Sequence, residues 1–335
     1  MTDRPIDLLR SLADAATREL FIASHIVLDE SVSTILRRAR ERGVSVRLLT
    51  EVADRDGNGL RIKTTGLDGQ YDAEDFARHD ATIRQLARQG VQIRSGPIFS
   101  HVKLWVADRQ LAATGSVNLT PNSLGTGAHP SLELMQSFEG DVGAALSAVA
   151  RWLWAGATLH CHYDDQAGFR IHEAHGKDSP PPTHPAVVVG VPGHGYPILD
   201  VFNDAISKAS RSVRLVTMSA YRWNDLPGFE QAIASALDRG VTVTLARRTP
   251  DARTAECPSI AEMLRCGLRV IDVPGLHAKG IVIDDAWTAL FTGNLNPFSL
   301  AGSTPTDHVE LGVVDATGSR HLAQARHRLF SVAES

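Results

Sequence analysis

The sequence predicts an α/β protein built from two similar units, each a mostly parallel sheet flanked by helices. Amphipathic helical segments alternate with short β-branched strands, and the order of these segments in the first half recurs in the second. A polar, proline-rich stretch, HEAHGKDSPPPTHP, separates the two series. Alternating helices and strands are typical of parallel sheets covered on both faces, and such a proline-rich stretch is typical of a connector.

The repeat can be followed segment by segment. Helix-then-strand patterns occur three times in each half: PIDLLRSLADAATRELFIASHI with YPILDVFNDAISKASRSVRLVTMSAY, STILRRARERGVSVRLLTE with EQAIASALDRGVTVTLARR, and IRQLARQGVQIRSGP with IAEMLRCGLRVIDVP. In the second pair a glycine, Gly43 or Gly240, follows the helix as expected of a helix end. Each half then closes with a strand and a helix.

These patterns predict a first unit at residues 1–157, a linker at 158–196 and a second unit at 197–335. Only the first half carries an inserted segment, residues 52–75. Its DRDGNG run resembles the start of a calcium loop, but Thr65 stands where such a loop needs a bidentate glutamate. A set of turns is therefore the preferred interpretation. A loop inserted near a site can also shape the access of substrate.

Composition sets the broad class of the protein. With 43% hydrophobic and 21% charged residues among 335, the chain is typical of soluble globular proteins. No apolar stretch reaches the roughly 18 residues of a membrane span, and the N-terminus lacks the pattern of a secretory signal. The three cysteines, Cys161, Cys257 and Cys266, have no disulfide-framework spacing, so we expect a cytoplasmic protein. The formal net charge of −4 leaves the partner open.

One motif occurs twice at matching positions of the repeat. His101, Lys103 and Asp108 fit H-x-K-x4-D, and His277, Lys279 and Asp284 fit it again. The chain has only five lysines, so two of them in a duplicated motif are informative. Both motifs begin alternating apolar runs, in which residues two apart face the same side of a strand. Each histidine should therefore project together with its lysine.

Small polar turns follow both motifs. They are GSVN at 115–118 and GNLN at 293–296, and Glu133 or Glu310 comes later in each half. Glycine lets a backbone approach a ligand closely, and serine or asparagine can hydrogen-bond phosphate oxygens. The candidate substrate-binding residues are Ser116, Asn118, Asn294 and Asn296.

On these residues the chain resembles the phospholipase D superfamily, whose members carry H-x-K-x4-D followed by a G-S-x-N turn, usually in duplicate. The second turn departs from that pattern, because Asn294 replaces serine and the turn lies two residues farther from its aspartate. The resemblance implies two units packed with pseudo-twofold symmetry, so that both motifs share one pocket. It also implies phosphodiester cleavage through a phosphohistidine, with no metal and no cofactor.

The resemblance further assigns roles. His101 is expected to be the nucleophile and His277 the acid and base, although local symmetry leaves the reverse assignment open. Lys103 and Lys279 should bind the nonbridging oxygens. The carboxylates expected to hydrogen-bond the imidazoles are Asp108, Asp284, Glu133 and Glu310, and the glutamates are preferred because the aspartates can instead secure the strand ends.

The substrate class is less sharply indicated. Arginines near the expected pocket, Arg94, Arg109, Arg247 and Arg248, favour a nuclease acting on DNA or RNA. The alternatives are a phospholipase D or phosphatidyl transferase at a membrane surface, and an inactive phosphate-binding scaffold. With both motifs in one chain a monomer suffices, and a homodimer is also compatible. HCHYDD, at 160–165, lacks the spaced partner ligands of a zinc site, so no metal site is predicted there.

Overall fold

The computed structural model describes residues 4–55, 59–61, 71–96, 100–249, 258–300, 308–316 and 322–334. They form two compact units, the first made of residues 1–130 and 137–182 and the second of residues 131–136 and 183–335. Thr65, Cys257 and most of the inserted segment 52–75 lie outside the described residues. Within the described residues, no helix combines the length and apolar character needed to cross a bilayer.

The first unit is built on a sheet of eight strands. Its elements in chain order are α1 (Pro5–Ala15), β1 (Glu19–Ala23), α2 (Glu30–Glu41), β2 (Ser45–Leu49), β3 (Ala53–Arg55), β4 (Gly59–Arg61), α3 (Ala73–Arg88), β5 (Gln92–Ser95), β6 (Leu104–Ala107), β7 (Leu111–Gly115), α4 (Pro121–Leu124), β8 (Met135–Phe138), α5 (Gly140–Gly156), β9 (Leu159–Asp164) and β10 (Gly168–Glu173). The strand order is β10-β9-β5-β2-β1-β6-β7-β8, while β3 and β4 form a separate small hairpin.

The second unit is built on a sheet of seven strands. Its elements are β11 (Val187–Gly190), α6 (Pro197–Ser207), β12 (Ser212–Thr217), a 3-10 turn (Trp223–Asp225), α7 (Phe229–Asp238), β13 (Thr242–Arg248), α8 (Pro258–Arg265), β14 (Arg269–Val273), β15 (Gly280–Ile283), β16 (Trp287–Phe291), α9 (Pro297–Leu300), β17 (Glu310–Asp315) and α10 (Ala323–Glu334). The strand order is β11-β17-β16-β15-β12-β13-β14.

The α/β class and the helix–strand repeat agree with the sequence-based prediction, but the prediction of mostly parallel sheets is wrong. Among the described residues, the strands that pair in parallel are β1, β2 and β5 in the first unit, and β12, β13 and β14 in the second. Strands β6 and β15 run antiparallel to β1 and β12, and tight hairpin turns then join β6 to β7 and β15 to β16 as antiparallel pairs. A parallel pair would need a connection of a dozen or more residues.

The predicted linker at 158–196 is also corrected. Strands β9 and β10 extend the sheet of the first unit by pairing onto β5, and β11 pairs with β17 in the second. Charged and polar side chains alternate along these strands, which concealed them in a polar region of the sequence. Conversely, residues 131–136 belong to the second unit, although they lie within the predicted first one. The pseudo-twofold packing of the units stays a prediction.

Amphipathic helices cover the sheets and bury their apolar faces. In the second unit, Phe202, Trp223 and Phe229 pack with the strand side chains Leu215 and Leu245 in one continuous core. Trp105 and Trp223 are fully buried, so they serve as core residues. Burial of apolar side chains on both faces of the sheet stabilises the strand ends from which the motif residues project.

Candidate active site

In the first unit, His101 and Lys103 lie immediately before β6 rather than on it. The side chains are buried, with Lys103 fully shielded and His101 only 7% exposed. The Lys103 ammonium donates a hydrogen bond of 2.7 Å to the carbonyl oxygen of His101. Thr114 on β7 holds the backbone from the other side by donating to the Lys103 carbonyl. The histidine and the ammonium are therefore tied together through the backbone.

The second unit repeats this arrangement. His277 and Lys279 lie directly before β15, both are buried, and Lys279 donates to the His277 carbonyl at 2.6 Å. Burying an ammonium is costly unless it is hydrogen-bonded. The same backbone contact in both units thus lets each motif keep a lysine in its interior.

A carboxylate supports the imidazole of His277. Nδ1 of His277 lies 2.7 Å from Oε1 of Glu133, and both side chains are almost completely buried. The backbone of the Glu133 segment is held in place, because the amides of His277 and Ala278 both donate to the Leu132 carbonyl. A carboxylate at Nδ1 fixes the tautomer and stabilises the imidazolium.

The surroundings of Lys279 shift its titration. Burial lowers the pKa of Lys279 to about 8, Glu133 and Glu310 oppose this, and Arg248 adds to it. Glu310 is fully buried and accepts a hydrogen bond from Thr292. Gly293 passes so close to the Glu310 carboxylate that a β-carbon at this position would lie 2.8 Å from it. These contacts require a glycine there and keep Glu310 within the site.

The structure changes the equivalence of the two polar turns. Leu104 and Gly280 each directly follow a motif lysine. In the strand register Leu104 pairs with Thr114, and Gly280 pairs with Leu290. Counting from these pairs, Asn118 corresponds to Asn294, and Ser116 corresponds to Thr292. The sequence comparison had aligned Ser116 with Asn294 and Asn118 with Asn296, two residues off.

This register gives Asn296 a different role from the one predicted. Asn296 corresponds to Thr120, whose side chain caps α4 by accepting from the Ser123 amide. Asn296 likewise accepts from the Ser299 amide at the start of α9 and donates to Ser219. Thr292 is the residue that the sequence analysis missed, and aligning the repeats on Pro121 and Pro297 would have revealed it.

The motif aspartates lie at the far end of the hairpins. About seven extended residues separate His101 from Asp108, which is about 20 Å along a strand. Asp108 and Arg109 both have positive φ, 49° and 64°, and Asp284 and Asp285 repeat this with 51° and 63°. Positive φ at both central residues is the requirement of the tight hairpin turn that connects the strands. The expectation that these aspartates contact the imidazoles is therefore corrected.

Each aspartate instead caps the beginning of the neighbouring strand. The Asp108 carboxylate accepts from the amides of Thr17, Arg18 and Glu19 and from the Thr17 hydroxyl. Partial burial acts to raise the pKa of Asp108, but these hydrogen bonds outweigh it and lower the pKa to about 2. Asp284 accepts the equivalent bonds from residues 210–212, and its pKa is likewise about 2.

Further buried polar residues surround His101 and were not identified from the sequence. The His25 ring lies 5.3 Å from the His101 ring, centroid to centroid, and Tyr71 packs edge-on against His25. The Tyr71 hydroxyl accepts from Nδ2 of Asn118. In the strand register the second unit has Met218 at the position of His25. The two half-sites are therefore chemically different, and comparing the repeats at this position would have signalled it.

A second layer holds the segment that leads into His101. Glu51 accepts from the Ser100 amide, and the buried His79 bridges the Val27 amide and the Glu51 carbonyl. Because Nδ1 of His79 accepts a backbone hydrogen bond, this ring is neutral. Burial lowers the pKa of His79 to about 4 despite those two bonds.

The four arginines that favoured a nuclease are mostly engaged elsewhere. Arg109 lies at the hairpin turn remote from His101 and pairs with Glu19. Arg94 stacks on Trp154 and donates to its carbonyl oxygen. Arg247 pairs with Asp272, whereas Arg248 is exposed and contributes to the electrostatics of Lys279. The basic surface expected around the site is thus reduced mainly to Arg248.

Comparisons with known proteins were made for the whole chain. Residues 9–142 match the family model described as "Cardiolipin synthase, PLD-like domain". Phosphatidylserine synthase of Haemophilus influenzae Rd KW20 has a similar structure, with a TM-score of 0.66 and 13% identity over 98% of this chain and 83% of that one. Polyphosphate kinase of Porphyromonas gingivalis has a TM-score of 0.61 and 14% identity over 98% of this chain and 47% of that one.

A phospholipase D family member, Nuc of Salmonella typhimurium, is 23% identical over 45% of this chain and 95% of that one, with a TM-score of 0.35. No curated protein matches the sequence. At these identities the structural similarities establish the fold. Residues 9–142 thus match a PLD-like domain model, and the fold of the chain is similar to those of phosphatidylserine synthase and polyphosphate kinase.

Proposed function

We propose that the protein is a phosphodiester-cleaving enzyme that acts on phospholipids through a phosphohistidine intermediate. The observation that carries this proposal is the duplicated, buried pairing of histidine and lysine. In both units the ammonium is fixed to the carbonyl of its own histidine, and in the second unit Glu133 supports the imidazole. Nucleophile, acid and positive charge for the phosphoryl oxygens are therefore all available.

The proposed reaction proceeds in two steps. A ring nitrogen of neutral His101 attacks phosphorus, the bond from phosphorus to the leaving alcohol oxygen breaks, and protonated His277 gives its proton to that oxygen. Water or a second alcohol then attacks phosphorus, His277 takes up its proton, and the phosphorus–nitrogen bond breaks. The Glu133 carboxylate at Nδ1 favours the imidazolium form, which supports His277 as the acid.

Phospholipid is the preferred substrate class for two reasons. The description of the matching family model names cardiolipin synthase. In addition, three of the four arginines on which the nucleic-acid interpretation rested are paired or stacked within their own units. Nuclease activity is the second candidate, and the exposed Arg248 near Lys279 favours it. A cytoplasmic location stays a prediction from the sequence.

The test offers one purified protein several substrates in the presence of EDTA. Vesicles of phosphatidylglycerol or phosphatidylcholine, single-stranded DNA, duplex DNA and RNA are each labelled and incubated with the full chain. We expect the lipid headgroup to be released and neither DNA nor RNA to be cleaved. A primary alcohol added at high concentration should capture the phosphatidyl group if transfer competes with hydrolysis. Cleavage of nucleic acid without cleavage of lipid would overturn the proposed substrate class.

Matched variants separate catalysis from contamination. His101→Ala and His277→Ala should each lower the rate on the order of 10³-fold or more. The exposed His129 provides the control, since His129→Ala should retain full activity. Denaturation in SDS at alkaline pH during turnover preserves the acid-labile phosphorus–nitrogen bond, and it should trap label on the His277→Ala protein but not on the His101→Ala protein. If no substrate is cleaved and neither variant differs from the parent, the chain is an inactive scaffold.

A further inference from the structure

The edge of the first sheet brings three histidines onto one face. His160 and His162 are two residues apart on β9, so both side chains leave the strand on the same side. His172 on β10 pairs directly with His160, which places it on that side as well. The partner ligand that the sequence run HCHYDD lacked is thus supplied by the neighbouring strand.

The ring positions are close to those needed for a shared metal ion. The His162 and His172 centroids are 4.6 Å apart, and those of His160 and His172 are 6.0 Å apart. Imidazole nitrogens bind Zn²⁺ at about 2.0–2.1 Å in a tetrahedron, which places the ring centroids of ligands about 5 Å apart. The observed separations lie on either side of that value. His162 and His172 are exposed, so small rotations of their side chains can bring the three rings together.

The three histidines line a pocket of about 350 Å³ on this face, together with Gln92, Arg94 and Trp154. Arg94 stands beside His160 in the register and is held by stacking on Trp154. Cys161, between His160 and His162 on β9, is buried and also contributes to the lining of the pocket. Arg94 offers a positive charge next to these imidazoles.

We propose that His160, His162 and His172 bind one divalent first-row transition ion, Zn²⁺ being the best match, with its fourth position open to the pocket. Imidazole ligands suit zinc, copper and nickel, whereas calcium and magnesium require oxygen ligands. Three protein ligands with one open position are typical of zinc sites that bind a further ligand. An anion bound to the ion in that position would face Arg94. The site is separate from the motif histidines and does not depend on the proposed phosphodiester chemistry.

The test titrates the full-length protein, stripped with EDTA and exchanged into metal-free buffer, with Zn²⁺ by calorimetry and with Co²⁺ by visible spectroscopy. We expect one equivalent of Zn²⁺ to bind. Co²⁺ should give a visible absorption band of the intensity typical of four-coordinate cobalt, and binding of Zn²⁺ should raise the melting temperature of the protein. His160→Ala, His162→Ala and His172→Ala should each weaken binding at least about tenfold. The exposed His175 on the same segment is the control, and His175→Ala should bind as the parent does.

A double variant identifies the site without relying on activity. His101→Ala combined with His277→Ala removes both motif histidines and should leave the stoichiometry of Zn²⁺ binding unchanged. Loss of binding in this double variant, or unchanged binding in His162→Ala and His172→Ala, would overturn the proposal. Absence of any heat and of any Co²⁺ band would overturn it as well. Because His162 and His172 are exposed, their variants should fold, and circular dichroism checks this.

Discussion

Glu133 places a carboxylate oxygen 2.7 Å from Nδ1 of His277, although the two residues come from opposite halves of the chain. Both side chains are buried, so the interaction is little screened by solvent. In the proposed mechanism His277 holds a proton at neutral pH, and this contact sets both the tautomer and the stability of the charged form. It makes Glu133 the most informative residue to change after the histidines.

Glu133→Gln should lower kcat on the order of 10²-fold or more with little change in KM, because the amide keeps the size but not the charge that stabilises the imidazolium. The alkaline side of the pH–rate profile, which falls where protonated His277 is lost, should also move to lower pH. Steady-state kinetics on the cleaved substrate measures both effects. The exposed Glu139 supplies the control, and an equal loss in Glu139→Gln, or no loss in Glu133→Gln, would contradict the role.

Because the pKa of Lys279 is lowered, we expect the activity to fall at alkaline pH. Its folded-state pKa is about 8, so the ammonium is charged below that pH and neutral above it. The rate should therefore fall as the pH rises through 8, since the phosphoryl oxygens lose their positive partner. In Lys279→Arg the guanidinium stays charged, so the part of the fall that comes from Lys279 should vanish even if the maximal rate is lower. Profiles of kcat/KM from pH 7 to 10 measure this. The control is Lys208→Arg, because Lys208 is exposed and pairs with a surface aspartate.

The corrected register of the second polar turn predicts opposite results for two asparagines. Asn294→Ala should lower kcat/KM on the order of 10²-fold, as expected when a hydrogen-bond donor to the transition state is lost. Asn296→Thr should leave kcat/KM unchanged, because threonine occupies the equivalent capping position, Thr120, in the first unit. If Asn296→Thr is the damaging change and Asn294→Ala is silent, the strand-based alignment is wrong.

The motif aspartates should behave as structural residues. Asp108→Ala and Asp284→Ala remove hydrogen bonds to a charged group and should each lower the free energy of unfolding on the order of 2 kcal/mol. At a temperature where the variants are folded, their kcat should match that of the parent. Urea unfolding and initial rates measure these quantities, and Asp165→Ala on the exposed β9–β10 turn is the control. A large loss of kcat in a stably folded Asp108 variant would restore a catalytic role.

Because the pKa of His79 is lowered, we expect the folded protein to lose stability in mild acid. Its pKa is about 4 in the folded protein and about 6.5 in the unfolded chain. Between these values the unfolded state binds more protons, so stability is fully present above pH 6.5 and decreases as the pH falls toward 4, by on the order of 3 kcal/mol. Unfolding curves at pH 7, 5.5 and 4.5 measure this decrease. His79→Gln should flatten it, whereas His129→Gln should not.

Local pattern was enough to predict the helices, the strands beside them and the duplicated motif. Periodicity marks an amphipathic helix wherever the apolar face is buried, as in α1 and α6, and the motif stands out because lysine is scarce. Strand direction was not predictable in the same way. The positive φ values at Asp108 and Arg109 accompany the antiparallel pairing of β6 with β7. No hydrophobic pattern encodes this turn or the antiparallel pairing of β6 with β1.

The errors in the site have related physical causes. His25 reaches His101, and Tyr71 reaches His25, through tertiary contacts, and such contacts leave no fixed spacing in the sequence. The polar turns were aligned by letter similarity, whereas their true equivalence follows from strand register. Strands β9 and β10 were taken for a linker because their outward face is polar, and that polar face is where three histidines meet.

Because residues 131–136 belong to the second unit, cutting the polypeptide before Thr183 removes part of that unit. A polypeptide beginning at Thr183 would contain the imidazole of His277 but not the carboxylate that sustains its charge. Separately expressed halves should therefore regain function only on mixing, as complementing fragments.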